Sequence, residues 1–202
     1  NMKICLAMAL YNESSIIESA LDSALANTKY ECDVHVYLSG SRFFEKNLEE
    51  LRDIQANNKN YKLFISAGNA NGDVVNRPSV GAARTMHNAY YELGYDIVIA
   101  GSPDFYFTDR RGFDNFIDNA IEHLDNKYMI SGMPLDDVGD FRFGFVIYTK
   151  KALENVGYID PNFIPMGLSD GDYHRRCLIS WSPDRDLLYY GSPDNFTNPP
   201  YG

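Results

Sequence analysis

The sequence predicts an α/β domain with a mainly parallel central sheet. Strand-like apolar runs alternate with amphipathic helical segments along the chain, and that order implies βαβ units. The 202 residues show no linker-like change in composition, so they read as a single domain. With 45% apolar and 23% charged residues, the composition is that of a globular protein and excludes global disorder. A chain of this size buries roughly 70% of the surface it exposes when unfolded, enough for a core without staples.

Each element has its own signal. Lys3 to Met8 is an apolar run that reads as a buried strand. Tyr11-Asn12-Glu13 is a turn, after which Ile17, Ala20, Leu21 and Ala24 recur at helical spacing, with Ser15 and Glu18 as a capping box. Asp33 to Leu38 alternates and is rich in Val and aromatic residues, as a strand requires. Phe44, Leu48, Leu51 and Ile54 mark a second helix, and Lys62 to Ile65 a third strand. Ser66 to Pro78 is a Gly/Asn-rich loop, Ser79 to Leu93 a helix, and Tyr95 to Ala100 a strand ending at Gly101-Ser102-Pro103-Asp104. Phe113 to Leu124 is helical, while Tyr128 to Met133 and Phe141 to Tyr148 are strands. Thr149 caps a short helix that Gly157 closes. Ser169 to Ile179 is the last predicted helix, and the Pro- and Asp-rich tail from Ser182 is expected to be irregular.

Composition narrows the function. Eighteen Lys and Arg against 28 Asp and Glu give a formal charge of −10. That argues against duplex nucleic-acid binding, which needs clustered positive charge. It leaves room for a phosphorylated ligand that meets acidic residues through a metal ion. Three scattered cysteines without CxxC argue against a zinc site or a disulfide framework. Reduced thiols and a cytoplasmic location are expected. No run reaches the roughly 18 apolar residues of a membrane span, and no signal-peptide pattern opens the chain.

In parallel sheets ligands bind beyond the carboxyl ends of strands, here Ala9–Glu13, Ser39–Ser41 and Ser102–Asp104. Asp104 follows an apolar strand, where a carboxylate can hold a divalent ion against a diphosphate. Ser-Pro-Asp is also a common turn string and occurs three times, at 102, 182 and 192. Ser169 to Arg176 gathers Asp170, Asp172, His174, Arg175 and Arg176 at a predicted helix start. These acids either cap the helix or supply a general base, with His174 one turn from Asp170. Arg84, in RPSVGAAR, suits a phosphate or base edge, or an ion pair beneath a packed helix. No GxGxxG or GxxxxGK[ST] string occurs. His35, His87 and His123 stand singly and read as structural. Trp181 and the 15 tyrosines read first as packing, with sugar stacking the alternative for Tyr11, Phe105, Tyr106 and Trp181 beside these strand ends.

The order of these motifs resembles the GT-A glycosyltransferases, especially the family-2-like inverting enzymes. KICLAMALYNESSIIESALDSAL is similar to that family's first strand, P-x-Y-N-E turn and helix. HVYLSGS stands at the strand ending in D-D-G-S, and SVGAARTMHNAYYEL resembles G-x-A-x-A-R-N-x-G. YDIVIAGSPDFYF is similar to the strand that ends in the metal-binding D-x-D. FVIYTKKALENVGYIDPNFIPMGLSDGDYHRRC resembles the segment that ends in E-D-x-D-L-x-x-R. The resemblance implies a three-layer α/β/α GT-A fold, with a nucleotide-binding part over about 3–108, an acceptor part over about 109–181 and a tail over 182–202. It implies a metal-dependent, inverting sugar transfer from a nucleotide-sugar donor to an acceptor hydroxyl on a glycan, protein or small molecule. Asp170 would be the general base. Asp104 would hold Mn2+ or Mg2+, with His174 as a further metal ligand. Ala9, Tyr11, Glu13, Ser39, Arg84, Ser102 and Pro103 would bind the nucleotide sugar. Asp172, Arg176 and Trp181 would support the acceptor side. Leu38, Ser39, Ser102 and Ser169 occupy positions that are usually acidic, and Ala9 replaces a Pro. These departures leave the donor base open and keep a second reading, an inactive GT-A-like binding or structural module, in play. A nucleotidyltransferase is disfavoured because its G-x-G-T/S-R loop is missing.

Overall fold

The computed structural model describes residues 2–10, 14–38, 43–67, 87–101, 103, 105–131, 145–157, 176, 188–190 and 196–197. Its elements are β1 (Ile4–Leu10), α1 (Ser14–Leu25), β2 (Cys32–Leu38), α2 (Phe44–Asn57), β3 (Lys62–Ala67), a π-helical turn (Asn88–Glu92) and β4 (Ile97–Gly101). They continue with β5 (Tyr106–Phe107), α3 (Gly112–Ile121), β6 (Met129–Ser131), β7 (Phe145–Tyr148), α4 (Lys150–Val156), β8 (Leu188–Tyr190) and β9 (Phe196–Thr197).

Seven strands form one sheet in the order β3-β2-β1-β4-β7-β6-β8. The pairs β3-β2, β2-β1, β1-β4 and β6-β8 are parallel, while β7 runs antiparallel to both β4 and β6. The sheet is therefore mainly parallel, as its alternation with helices predicts. β5 and β9 make a separate antiparallel pair.

Central strands buried on both faces must be apolar on both, and β1 is. Ile4, Leu6, Met8 and Leu10 point into one core with Ile17, Leu21 and Ala24 of α1 and Leu51 and Ile54 of α2. Cys5 and Ala7 point to the opposite face, into a second core with Ala89, Tyr90, Val98, Tyr148, Ala152 and Leu153. Helices α1, α2 and α3 thus cover one face, and the π turn and α4 cover the other. That is the three-layer α/β/α arrangement. An aromatic group joins α3 to the sheet: Phe145 lies 4.8 Å from Phe105, 5.3 Å from Phe107 and 5.3 Å from Phe116, centroid to centroid. Offset and edge contacts of this kind add to the burial of the rings themselves.

Several expectations need correction. The tail is not wholly irregular: β8 extends the main sheet beside β6, and β9 pairs with β5. α1 begins at Ser14, so Ser15 stands inside its first turn rather than at a cap. α3 stops at Ile121, which leaves His123 in the turns that follow. Of the helix predicted over 79–93, the described part is the π turn. The predicted helix over 169–179 lies outside the described residues apart from Arg176.

Candidate nucleotide-sugar site

The register brings the strand ends to one edge. Leu10, the last residue of β1, pairs with Leu38, the last of β2, and Leu38 pairs with Ala67, the last of β3. β4 ends at Gly101, level with Met8 of β1. The strand order turns about β1, with β2 and β3 on one side and β4 on the other, so the switch point lies between β1 and β4. A crevice beyond the carboxyl ends of two such strands is where open α/β sheets take ligands. The residues that follow these ends in the sequence are Tyr11-Asn12-Glu13, Ser39 and Ser102-Pro103-Asp104.

Among the predicted site residues, three are described. Ala9 is half-buried on β1, on the side of Cys5 and Ala7. Pro103 is buried just past β4. Arg176 donates from Nη1 to the Val156 carbonyl at 3.2 Å, at the carboxyl end of α4 where a cation is favoured. Tyr11, Glu13, Ser39, Arg84, Ser102, Asp104, Asp170, Asp172, His174 and Trp181 lie outside the described residues. Among the described residues no three His, Cys, Asp or Glu side chains are grouped to hold a metal ion. Leu38, at a usually acidic position, is fully buried in the core beneath α1 and α2. Phe105 is buried as well, so it packs rather than offering a sugar platform, whereas Tyr106 is exposed.

The support of the β1 edge shows a feature that reading the sequence missed. Ser14, the first residue of α1, is buried, and its Oγ contacts Asn47 Oδ1 at 2.7 Å and the Glu50 carboxylate. This seat ties the start of α1, one residue past Glu13, to α2. The signal was Asn47, a buried amide on the apolar stripe of Phe44, Leu51 and Ile54; buried polar groups keep partners.

A second group of titratable side chains stands toward the amino ends of β1 and β2. Asp33, near the amino end of β2, accepts a hydrogen bond from Tyr95 Oη at 2.6 Å, and His35 Nε2 lies 3.0 Å from the same phenol. Cys5 and Cys32 are buried and free, and burial pushes both thiols far above their ordinary range. Thiols held neutral in this way are poor nucleophiles.

Comparison with known proteins agrees with this architecture. No family model and no curated protein sequence matches the chain. Solved structures do. The S. aureus TarS 1-349 structure superposes with a TM-score of 0.68 at 13% identity, covering 96% of this chain and 59% of that one. TarS 1-349 in complex with UDP gives 0.64 at 14% identity, covering 96% and 59%. The mannosyltransferase PcManGT from Pyrobaculum calidifontis, in complex with GDP-Man and Mn2+, gives 0.61 at 14% identity, covering 95% and 55%. The chain has a GT-A-like glycosyltransferase fold. It spans less than two thirds of the length of these structures. The GT-A likeness agrees with the observed switch point between β1 and β4, and no helix of the described residues is long and apolar enough to cross a membrane.

Proposed function

We propose that the chain transfers a sugar from a nucleotide-sugar donor to an acceptor hydroxyl, with inversion at the anomeric carbon. The observation that carries this is the GT-A-like sheet whose β1, β2 and β4 end on one edge, directly ahead of Tyr11–Glu13, Ser39 and Ser102–Asp104. In this reading the donor nucleotide lies over the β1–β4 crevice, bound by Ala9, Tyr11, Glu13, Ser39, Arg84, Ser102 and Pro103. Asp170 takes the proton of the acceptor hydroxyl as its oxygen attacks the anomeric carbon, and the nucleoside diphosphate departs from the opposite side. Asp172, Arg176 and Trp181 support the acceptor. Asp104 and His174 would hold Mn2+ or Mg2+, which would offset the charge on the departing diphosphate. The neighbour bound to GDP-Man and Mn2+ supports the donor class and the ion. A cytoplasmic setting completes the proposal.

The test screens nucleotide sugars with Mn2+ or Mg2+ for released nucleoside diphosphate, with and without the Asp170→Asn change. Asp170→Asn should abolish turnover and keep donor binding; retained turnover would remove Asp170 from its role. Leu38, buried where an acid is usual, favours a second reading, a GT-A-like binding or structural module without catalysis. Calorimetric titration with nucleoside diphosphates and Mn2+ separates the two. Failure of every nucleotide to bind would favour the module.

A further inference from the structure

A cleft of about 600 Å³ runs along the outer face of α1. Glu18, Asp22, Ser23 and Asn27 line it from α1 and the turn that follows, and Tyr106 and Arg110 line it from β5 and the segment beyond. Its walls are fixed to each other. The Phe107 N–H donates to Ser23 Oγ at 3.1 Å, and β9 pairs with β5 from the other side. Phe107 itself is buried against Phe113 and Phe145, so the β5 wall rests on the core.

We infer that this cleft binds a neutral oligosaccharide, the acceptor chain of the proposed transfer. Three observations choose that class. The volume lies within the range of small-ligand sites and suits about two sugar rings. Tyr106 lines the cleft and is 39% exposed, an aromatic side chain on which the C–H side of a pyranose can stack. Around it stand planar and hydroxyl groups that match sugar hydroxyls: carboxylates at Glu18 and Asp22 accept, the Arg110 guanidinium donates, and the Asn27 amide does both. Two carboxylates against one guanidinium leave the lining net negative, which disfavours phosphate or sulfated chains.

The place of the cleft gives it a role. β5 begins two residues after Asp104, so one wall continues directly from the strand end where the donor is proposed. A chain lying along α1 can present its terminal hydroxyl toward that edge while its distal rings sit against Tyr106. This inference rests on the glycosyl-transfer reading for the word acceptor; the cleft's affinity for sugar stands or falls separately.

The experiment titrates the 15N-labelled chain by NMR with cellotetraose, maltotetraose, mannotetraose and chitotetraose, and in parallel with UDP and GDP in Mn2+. At least one tetrasaccharide should bind and shift amides of residues 18–27 and 106–110. Tyr106→Ala and Asp22→Asn should each weaken that binding about tenfold, the size of one stacking or charge-assisted contact, and leave nucleotide binding unchanged. Asp22→Asn keeps the side-chain shape and guards against a folding artefact. Nucleotide binding with no tetrasaccharide bound overturns the cleft and spares the transfer reading. Tetrasaccharide binding with no nucleotide bound supports the cleft and counts against the transfer. Binding that shifts other residues, or that ignores both substitutions, overturns the assignment.

Discussion

Tyr90 carries its hydroxyl into the gap between two strands. The last ladder pair between β4 and β7 at that end is Ile99 with Ile147. One step further, the Val98 N–H donates to Tyr90 Oη at 3.1 Å, and Tyr90 Oη donates to the Tyr148 carbonyl. The phenol thus stands in for a strand-to-strand bond, and burial pushes its pKa well above the ordinary tyrosine range. Tyr90→Phe would leave a buried N–H and a buried carbonyl without this partner. The expected cost is about 1–3 kcal/mol, read as a lower denaturation midpoint with an unchanged slope. Nothing in the local sequence marks this tyrosine among fifteen, because its partners belong to strands brought together only by the fold. His35 gives a second prediction at this scale. Tyr95 spends its single proton on Asp33, so its oxygen can accept the proton on His35 Nε2. Desolvation, partly opposed by Asp33, lowers the His35 pKa below its ordinary value of 6.5. A histidine lowered in the folded state takes up its proton more readily when unfolded. Its contribution is therefore full above pH 6.5 and is lost as pH falls from there through the folded value. Thermal melts across pH 5 to 8 should show a midpoint that drops on acidification, and His35→Gln should flatten that part of the profile.

At the scale of elements, local signals and tertiary demands can be told apart. α4 was legible from its ends alone. Thr149 accepts from the Ala152 N–H at 3.2 Å, and Gly157 closes the helix at φ 86°, a left-handed value that glycine takes without strain. Thr149 also donates to the Lys127 carbonyl at 2.8 Å, which ties the cap to the turn before β6. Thr149→Ala should cost about 1–2 kcal/mol, and a thermal melt should lose several degrees in a domain of this size. Thr149→Ser, which keeps the oxygen, should recover most of that. The carboxyl ends of β2 and β4 were legible to within a residue from apolar runs and turn strings, whereas β1 and β3 run two residues past the predicted ends at Met8 and Ile65. The seat of Ser14 on α2 was not legible, since Asn47 and Glu50 meet Ser14 only after both helices dock. The cleft on α1 was hidden for a related reason. Glu18 reads as half of a capping box and Asp22 as solvated surface until β5 is set beside them. The residues proposed for the chemistry, Asp104 and Asp170 foremost, were found through the order of motifs and lie outside the described elements.

At the scale of the molecule, the chain closes on itself through its last described segments. β8 is the edge strand of the main sheet, pairing Leu188 with Met129 and Tyr190 with Ser131. β9 pairs Phe196 with Phe107 and Thr197 with Tyr106. Neither strand was legible. Two or three residues are too few to display a period of two, and the Ser-Pro-Asp strings around them mark turns. Such short strands are specified by the edges that receive them. β6 and β5 each offer unpaired N–H and C=O groups, and open edges invite pairing with other chains. Removing residues 188–202 should therefore do more than shorten a tail. The main sheet loses its edge strand, and β5 loses the partner that holds it beside the α1 cleft. The expected result is a lower melting midpoint together with a rise of apparent mass in light scattering as protein concentration increases. A monodisperse truncated chain that melts with the full one would show that β8 and β9 merely rest on a sheet already complete without them.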